Sequence, residues 1–172
     1  MPGDYDKAIA DLTRAIKIDP KYATAYVLRG AAYHSKGQYD NAIADFTRAI
    51  KIEPKYAAAY YNRGSAYGEK GNYDKAIADF TKAIWLDPKY AEAYNNRGVV
   101  YLRKGDCDKA IADFTKAIWL DPKCAEAYHN RGSAYDDKGD KGRAEVDRRK
   151  AKELGNEGEI SEKGELAHEK EQ

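Results

Sequence analysis

The sequence repeats itself every 34 residues, and this period constrains the fold more than any other property of the chain. Pro20, Pro54, Pro88 and Pro122 keep the step, as do Gly30, Gly64, Gly98 and Gly132 and then Gly37, Gly71, Gly105 and Gly139. Tyr26, Tyr60, Tyr94 and Tyr128 follow it, and so do Ala42, Ala76, Ala110 and Ala144. Chance does not produce so many coincident ladders.

Each unit reads as two helices. In 91–124, Tyr94, Gly98 and Tyr101 lie at helical spacing and give the first helix an apolar face. Lys104-Gly105-Asp106 then supplies a glycine to close that helix in the left-handed conformation and an Asp to cap the next. Ala110, Ile111, Phe114, Ala117, Ile118 and Leu120 form the stripe of the second helix, and Asp121-Pro122 ends it, because proline disfavours helix at the residue before it. Gly98 and Ala110 are small where the two backbones must approach.

The pattern Tyr-x-x-Arg-Gly-x-x-Tyr, then Ala-x-x-x-Phe, then Pro at a 34-residue period resembles the tetratricopeptide repeat. Tyr26, Tyr60, Tyr94 and Tyr128 stand in that family's Trp slot, and Arg29, Arg63, Arg97 and Arg131 in its Leu slot. The resemblance implies an all-α, right-handed α-solenoid of helix-turn-helix repeats. Full units run 23–56, 57–90 and 91–124, with a degenerate fourth at 125–154.

The ends depart from the repeat. Residues 4–22 read as an orphan second helix whose stripe of Tyr5, Ala8, Ile9, Leu12, Ala15 and Ile16 has a partner on one side only. A truncated upstream segment or another chain is expected to cover the other side. At the far end Arg148 replaces the Phe of Phe46, Phe80 and Phe114, and Lys152 replaces the Ile of Ile50, Ile84 and Ile118, giving a polar capping helix. Gly155 is expected to stop it, and 155–172 to be an acidic, mostly disordered tail, with a weak helix around 160–170 as the alternative.

Composition narrows the function. Lys+Arg 30 against Asp+Glu 29 leaves a net charge of +1, without the basic excess a nucleic-acid binder needs. Mean hydropathy is −0.86, and no apolar run approaches the roughly 20 residues of a membrane span. Met1-Pro2-Gly3-Asp4 shows no signal-peptide pattern, so a soluble, cytoplasmic chain without a membrane partner is expected. His34, His129 and His168 lie in no metal-binding spacing, and every glycine already has a turn or packing role. No enzyme activity, cofactor or metal is expected. Cys107 and Cys124 bracket one helix, about 25 Å apart at 1.5 Å rise, too far for a disulfide. They read as small replacements for tyrosines of the other units.

The family resemblance implies that the first helices line a concave groove that binds extended peptide. In those slots stand Leu28, Asn62, Asn96 and Asn130, beside Val27, Tyr61, Asn95 and His129. One turn on come Ala31, Ser65, Val99 and Ser133. An Asn amide donates and accepts, so the row Asn62, Asn96, Asn130 is suited to successive peptide groups. The clamp by which some family members hold the carboxylate of chaperone tails is not expected: only its middle Asn survives, and Glu92 or Glu126 would repel a carboxylate.

Two further ladders stand out. Arg29, Arg63, Arg97 and Arg131 recur with Asp45, Asp79, Asp113 and Asp147 sixteen residues later and predict ion pairs between helices, within a unit or across to the one before. Trp85 and Trp119 stand where the first units carry Lys17 and Lys51, on the expected outer face, either as a contact site or partly buried against the next unit. The expected function is a protein-interaction scaffold taking an extended peptide or helix in the groove. The alternative is a self-associating assembly module, a homo-oligomer using the open face of helix 4–19.

Overall fold

The computed structural model describes residues 4–168, with nine α-helices and no strand among them. They are α1 (Tyr5–Ile18), α2 (Ala23–Ser35), α3 (Tyr39–Ile52), α4 (Ala57–Glu69), α5 (Tyr73–Leu86), α6 (Ala91–Arg103), α7 (Cys107–Leu120), α8 (Ala125–Asp137) and α9 (Lys141–His168). Each unit pairs one helix of 13 residues with the next, α2 with α3, α4 with α5, α6 with α7 and α8 with α9. The pairs stack in chain order into an α-solenoid.

Local chemistry sets the helix ends. Gly105 adopts φ +80°, and the amides of Gly105 and Asp106 turn back to the carbonyls of Leu102 and Tyr101, each at 2.9 Å. This double closure is open to glycine because it lacks the Cβ that penalises the left-handed region. The Asp106 carboxylate then accepts from the amide of Lys109 and starts α7. Asp4 and Asp140 cap α1 and α9 in the same way, while Gln38 and Asn72 in that slot make no side-chain cap. Asp19, Asp87 and Asp121 are extended, as a residue before proline must be, and their carboxylates accept from the amides of Lys21, Lys89 and Lys123.

Phe46, Phe80 and Phe114 are the largest fully buried side chains, one per unit. Each ring lies where a neighbouring glycine has left room: a Cβ on Gly98 would stand 2.7 Å from the Phe114 ring, and one on Gly30 2.6 Å from Phe46. The expected close approach at Gly98 is thus made to an aromatic ring. Each joint between units is tied twice more. Arg29, Arg63, Arg97 and Arg131 grip Asp45, Asp79, Asp113 and Asp147 of their own unit through two bonds of 2.7–2.8 Å. The remaining terminal nitrogen donates to Thr13, Thr47, Thr81 or Thr115 of the preceding helix at 2.9–3.1 Å. Lys36, Lys70, Lys104 and Lys138 pair with Asp6, Asp40, Asp74 and Asp108 of the unit before.

The first helices touch along the array, α2 with α4, α4 with α6 and α6 with α8, whereas α3, α5 and α7 make no such contacts with one another. One row is therefore drawn together and the other splayed, which curves the array with α2, α4, α6 and α8 on the inner face.

At the ends, α1 has no buried residue, and Ile18 is 86% exposed where Ile52, Leu86 and Leu120 are half-buried. Arg148, in the Phe slot, pairs instead with Asp136. One expectation is corrected: α9 does not stop at Gly155 but runs on to His168. Gly155 is not left-handed and no proline follows it, so it weakens the helix by about 1 kcal/mol without closing it. Residues 169–172 of the expected tail lie outside the described residues.

Candidate functional site

The inner face carries two adjoining hollows that share Asn96 and Glu126. The first, about 220 Å³, is lined by Ser65 and Glu69 of α4, Asn96, Val99 and Arg103 of α6, and Glu126 of α8. The second, about 100 Å³, lies among Tyr61, Glu92, Asn95, Asn96, Asp121, Cys124 and Glu126.

The structure sorts the residues expected in the groove. Leu28 and His129 are exposed on the inner row, and Ser65, Val99, Asn96 and Tyr61 line the hollows. Val27 and Asn95 are buried, only 6% and 5% exposed, although Asn95 still lines the second hollow. Val27 joins the core cluster that Tyr56 packs against. Asn95 is covered by its own bonds, donating to Glu126 Oε1 at 3.1 Å and accepting from Asn130 at 3.2 Å.

The Asn row itself is engaged within the protein. Asn62 donates to the Ala58 carbonyl at 2.8 Å, Asn96 to the Tyr61 hydroxyl at 2.9 Å and Asn130 to Asn95. Two of the three therefore bridge neighbouring units, and their carbonyl oxygens make no bond among the described residues. Ser65 and Ser133 donate to the Tyr61 and His129 carbonyls one turn back. These hydroxyls keep lone pairs for a ligand.

Tyr61 is the hub of this surface. Its ring lies 4.8 Å from that of Tyr90 at a tilt of 32°, and 5.8 Å from Phe80. Burial, followed by the charge of Glu92, holds its phenol above the ordinary tyrosine value. Tyr90 is raised further, by burial first and then by Tyr61 and Glu92. Sequence reasoning singled out neither Glu69, Asp121 and Arg103 nor Cys124 as groove residues. Only Cys124 left a signal, by breaking a tyrosine ladder.

Trp85 and Trp119 are 68% and 70% exposed on α5 and α7, each beneath a lysine, Lys82 at 3.8 Å and Lys116 at 3.7 Å from the ring centroid. Burial against the next unit, one of the two expected placements, does not occur. Among the described residues no group of three His, Cys, Asp or Glu is placed to hold a metal ion, and no helix is long and apolar enough to cross a membrane.

Stacked helix pairs with a curved inner surface define a helical-repeat scaffold. The chain belongs to the tetratricopeptide repeat family: "TPR repeat" matches residues 2–37, 30–71 and 65–105, and "Tetratricopeptide repeat" matches 91–124 and 125–154. Among solved structures it is similar to MamA, with 32% identity over 92% of each chain and a TM-score of 0.83. The "MamA 41-end" structure from Desulfovibrio magneticus RS-1 shares the fold at 23% identity over 90% of this chain and 88% of that one, with a TM-score of 0.82. YrrB, described as a TPR protein with an unusual peptide-binding site, is 25% identical over 88% of this chain and 78% of its own, with a TM-score of 0.73. No curated protein sequence matches the chain at comparable stringency.

Proposed function

We propose that the chain is a protein-interaction scaffold that takes an extended peptide segment along its inner face. The observation that carries this reading is the pair of adjoining hollows joined at Asn96 and Glu126. Together they form a continuous, partly polar trough on helices whose joints are tied at every unit. Such a surface orders little on binding, so the ligand's own contacts set the affinity. The peptide-binding site described for YrrB supports the same use of this fold.

A photo-crosslinking residue at Ser65 or at Ser133, compared with one at Trp85, tests the reading. Partner peptides that crosslink from the two groove positions and not from Trp85 are expected. Crosslinking from Trp85 alone moves the site to the outer face.

One observation favours a second reading, self-association. The uncovered face of α1, with Ile18 almost fully exposed, is an apolar surface that a second copy would cover. That reading requires a mass that rises with concentration in light scattering, and an Ile18→Glu variant that stays monomeric.

A further inference from the structure

The second hollow lies at the joint where both aromatic rings of these slots are missing. Between α4 and α6, Tyr61 stacks on Tyr90 and fills the space. One unit back the same slots hold Val27 and Tyr56, so one ring remains. One unit on they hold Asn95 and Cys124, and neither ring is present. The hollow of about 100 Å³ lies at this joint.

Its walls are fixed. Asn95 is held from both sides by Glu126 and Asn130 and does not swing in to close the gap. The Tyr61 ring forms another wall, and Glu92, Asp121 and Glu126 supply three carboxylates, with no Lys, Arg or His in the lining. Arg103 belongs to the adjoining hollow, together with Glu69. Size limits the occupant. Small-molecule sites run to roughly 300–1,000 Å³, so this one has room for a single side chain. The carboxylates are too dispersed for a metal ion, as the described residues offer no such cluster.

Resting on the groove reading above, we propose that this hollow receives one basic side chain, Arg or Lys, from the bound segment. A guanidinium or ammonium meets the face of Tyr61 and spreads its donors among separate carboxylates, which a point ligand does not do. A Glu or Asp in the same place meets like charge from three sides and is rejected.

The test is a positional-scanning library of acetylated ten-residue peptides on the immobilised full chain, read for the wild type, for C124Y and for E92Q/D121N/E126Q. C124Y restores the tyrosine that Tyr22, Tyr56 and Tyr90 supply elsewhere, so it fills the hollow without foreign chemistry, and thermal melting by circular dichroism confirms its fold. In the wild type, Arg and Lys at one position are expected to be favoured about tenfold over Glu, the worth of one partly desolvated cation contact. Both variants are expected to lose that preference while still retaining peptides. Peptides retained without a basic preference overturn this inference and leave the groove reading standing, and so does a basic preference that survives C124Y. Retention of no peptide by the wild type overturns the groove reading and this inference with it.

Discussion

Arg63 holds Asp79 through two parallel bonds of 2.7 and 2.8 Å and gives its remaining terminal nitrogen to Thr47 of the unit before. Both charges are largely removed from solvent, with 17% and 9% of the side chains exposed. The bond to Asp79 pushes the guanidinium above its ordinary pKa. One residue thus closes its own helix pair and fastens it to the previous one.

Asp79→Ala strands a buried guanidinium, and such losses cost about 3–5 kcal/mol. Replacing both partners with leucine, the residue the family pattern places in the Arg slot, is expected to leave stability unchanged or raised by about 1–4 kcal/mol. Urea unfolding of the single and double variants separates the two results. A single variant within 1 kcal/mol of wild type counts against the pair as a buried tie.

Gly98 and Gly64 are expected to differ. A Cβ on Gly98 falls 2.7 Å from the Phe114 ring, whereas one on Gly64 falls 3.1 Å from Phe80. Gly98→Ala should cost about 1–3 kcal/mol through overpacking, and Gly64→Ala less. Adding Phe114→Leu to Gly98→Ala should recover part of the loss, a coupling that a double-mutant cycle measures. Simple additivity would show that the ring is not the obstacle.

Alkaline titration addresses Tyr61 and Tyr90. Their folded pKa values lie above the unfolded value of 10, so the native state keeps protons the unfolded chain has lost. Their contribution is therefore complete below pH 10 and disappears as pH rises through the folded values. Absorbance at 295 nm should show the Tyr61 and Tyr90 steps above pH 10, and Tyr90→Phe should remove one of them. A Tyr90→Phe variant whose titration above pH 10 matches that of the wild type would contradict the burial described for this pair.

The two tryptophans are poor reporters of folding. Both are exposed, and each contact with its lysine is worth about 0.5–1 kcal/mol at such a site. Their emission should resemble that of free indole in water, be quenched readily by acrylamide, and change little on unfolding. A strong blue shift in the native state would place them against a partner or a second copy.

The architecture was legible because a 34-residue ladder forces every unit to use the same helix ends. Gly105 and Pro122 therefore stand for a turn in every unit. The Arg and Asp rungs were legible as a pair, and only their choice of unit had to be seen. Thr13, Thr47, Thr81 and Thr115 escaped notice because a hydroxyl that completes a guanidinium's bonds has no pattern of its own. The groove was harder to read. Sequence identifies which side of a helix a residue occupies but not what reaches it from the next unit, so Asn95 and Val27 read as open and are buried. The same gap hid the engagement of Asn96 and Asn130, whose partners lie 35 residues away. Gly155 misled for the opposite reason: its cost is local, and without a left-handed φ it weakens the helix and does not close it.

For a peptide bound as proposed, a trough built from identical copies would offer several equal seats, and a shift by one unit would change nothing. The replacement of Tyr61 and Tyr90 by Asn95 and Cys124 at the next joint removes that equivalence. With Val27 and Tyr56 one unit back, the three joints carry one ring, two rings and none, so on the proposed reading sliding by a unit would have a free-energy cost. Unequal joints would thereby turn a sliding track into one with an address.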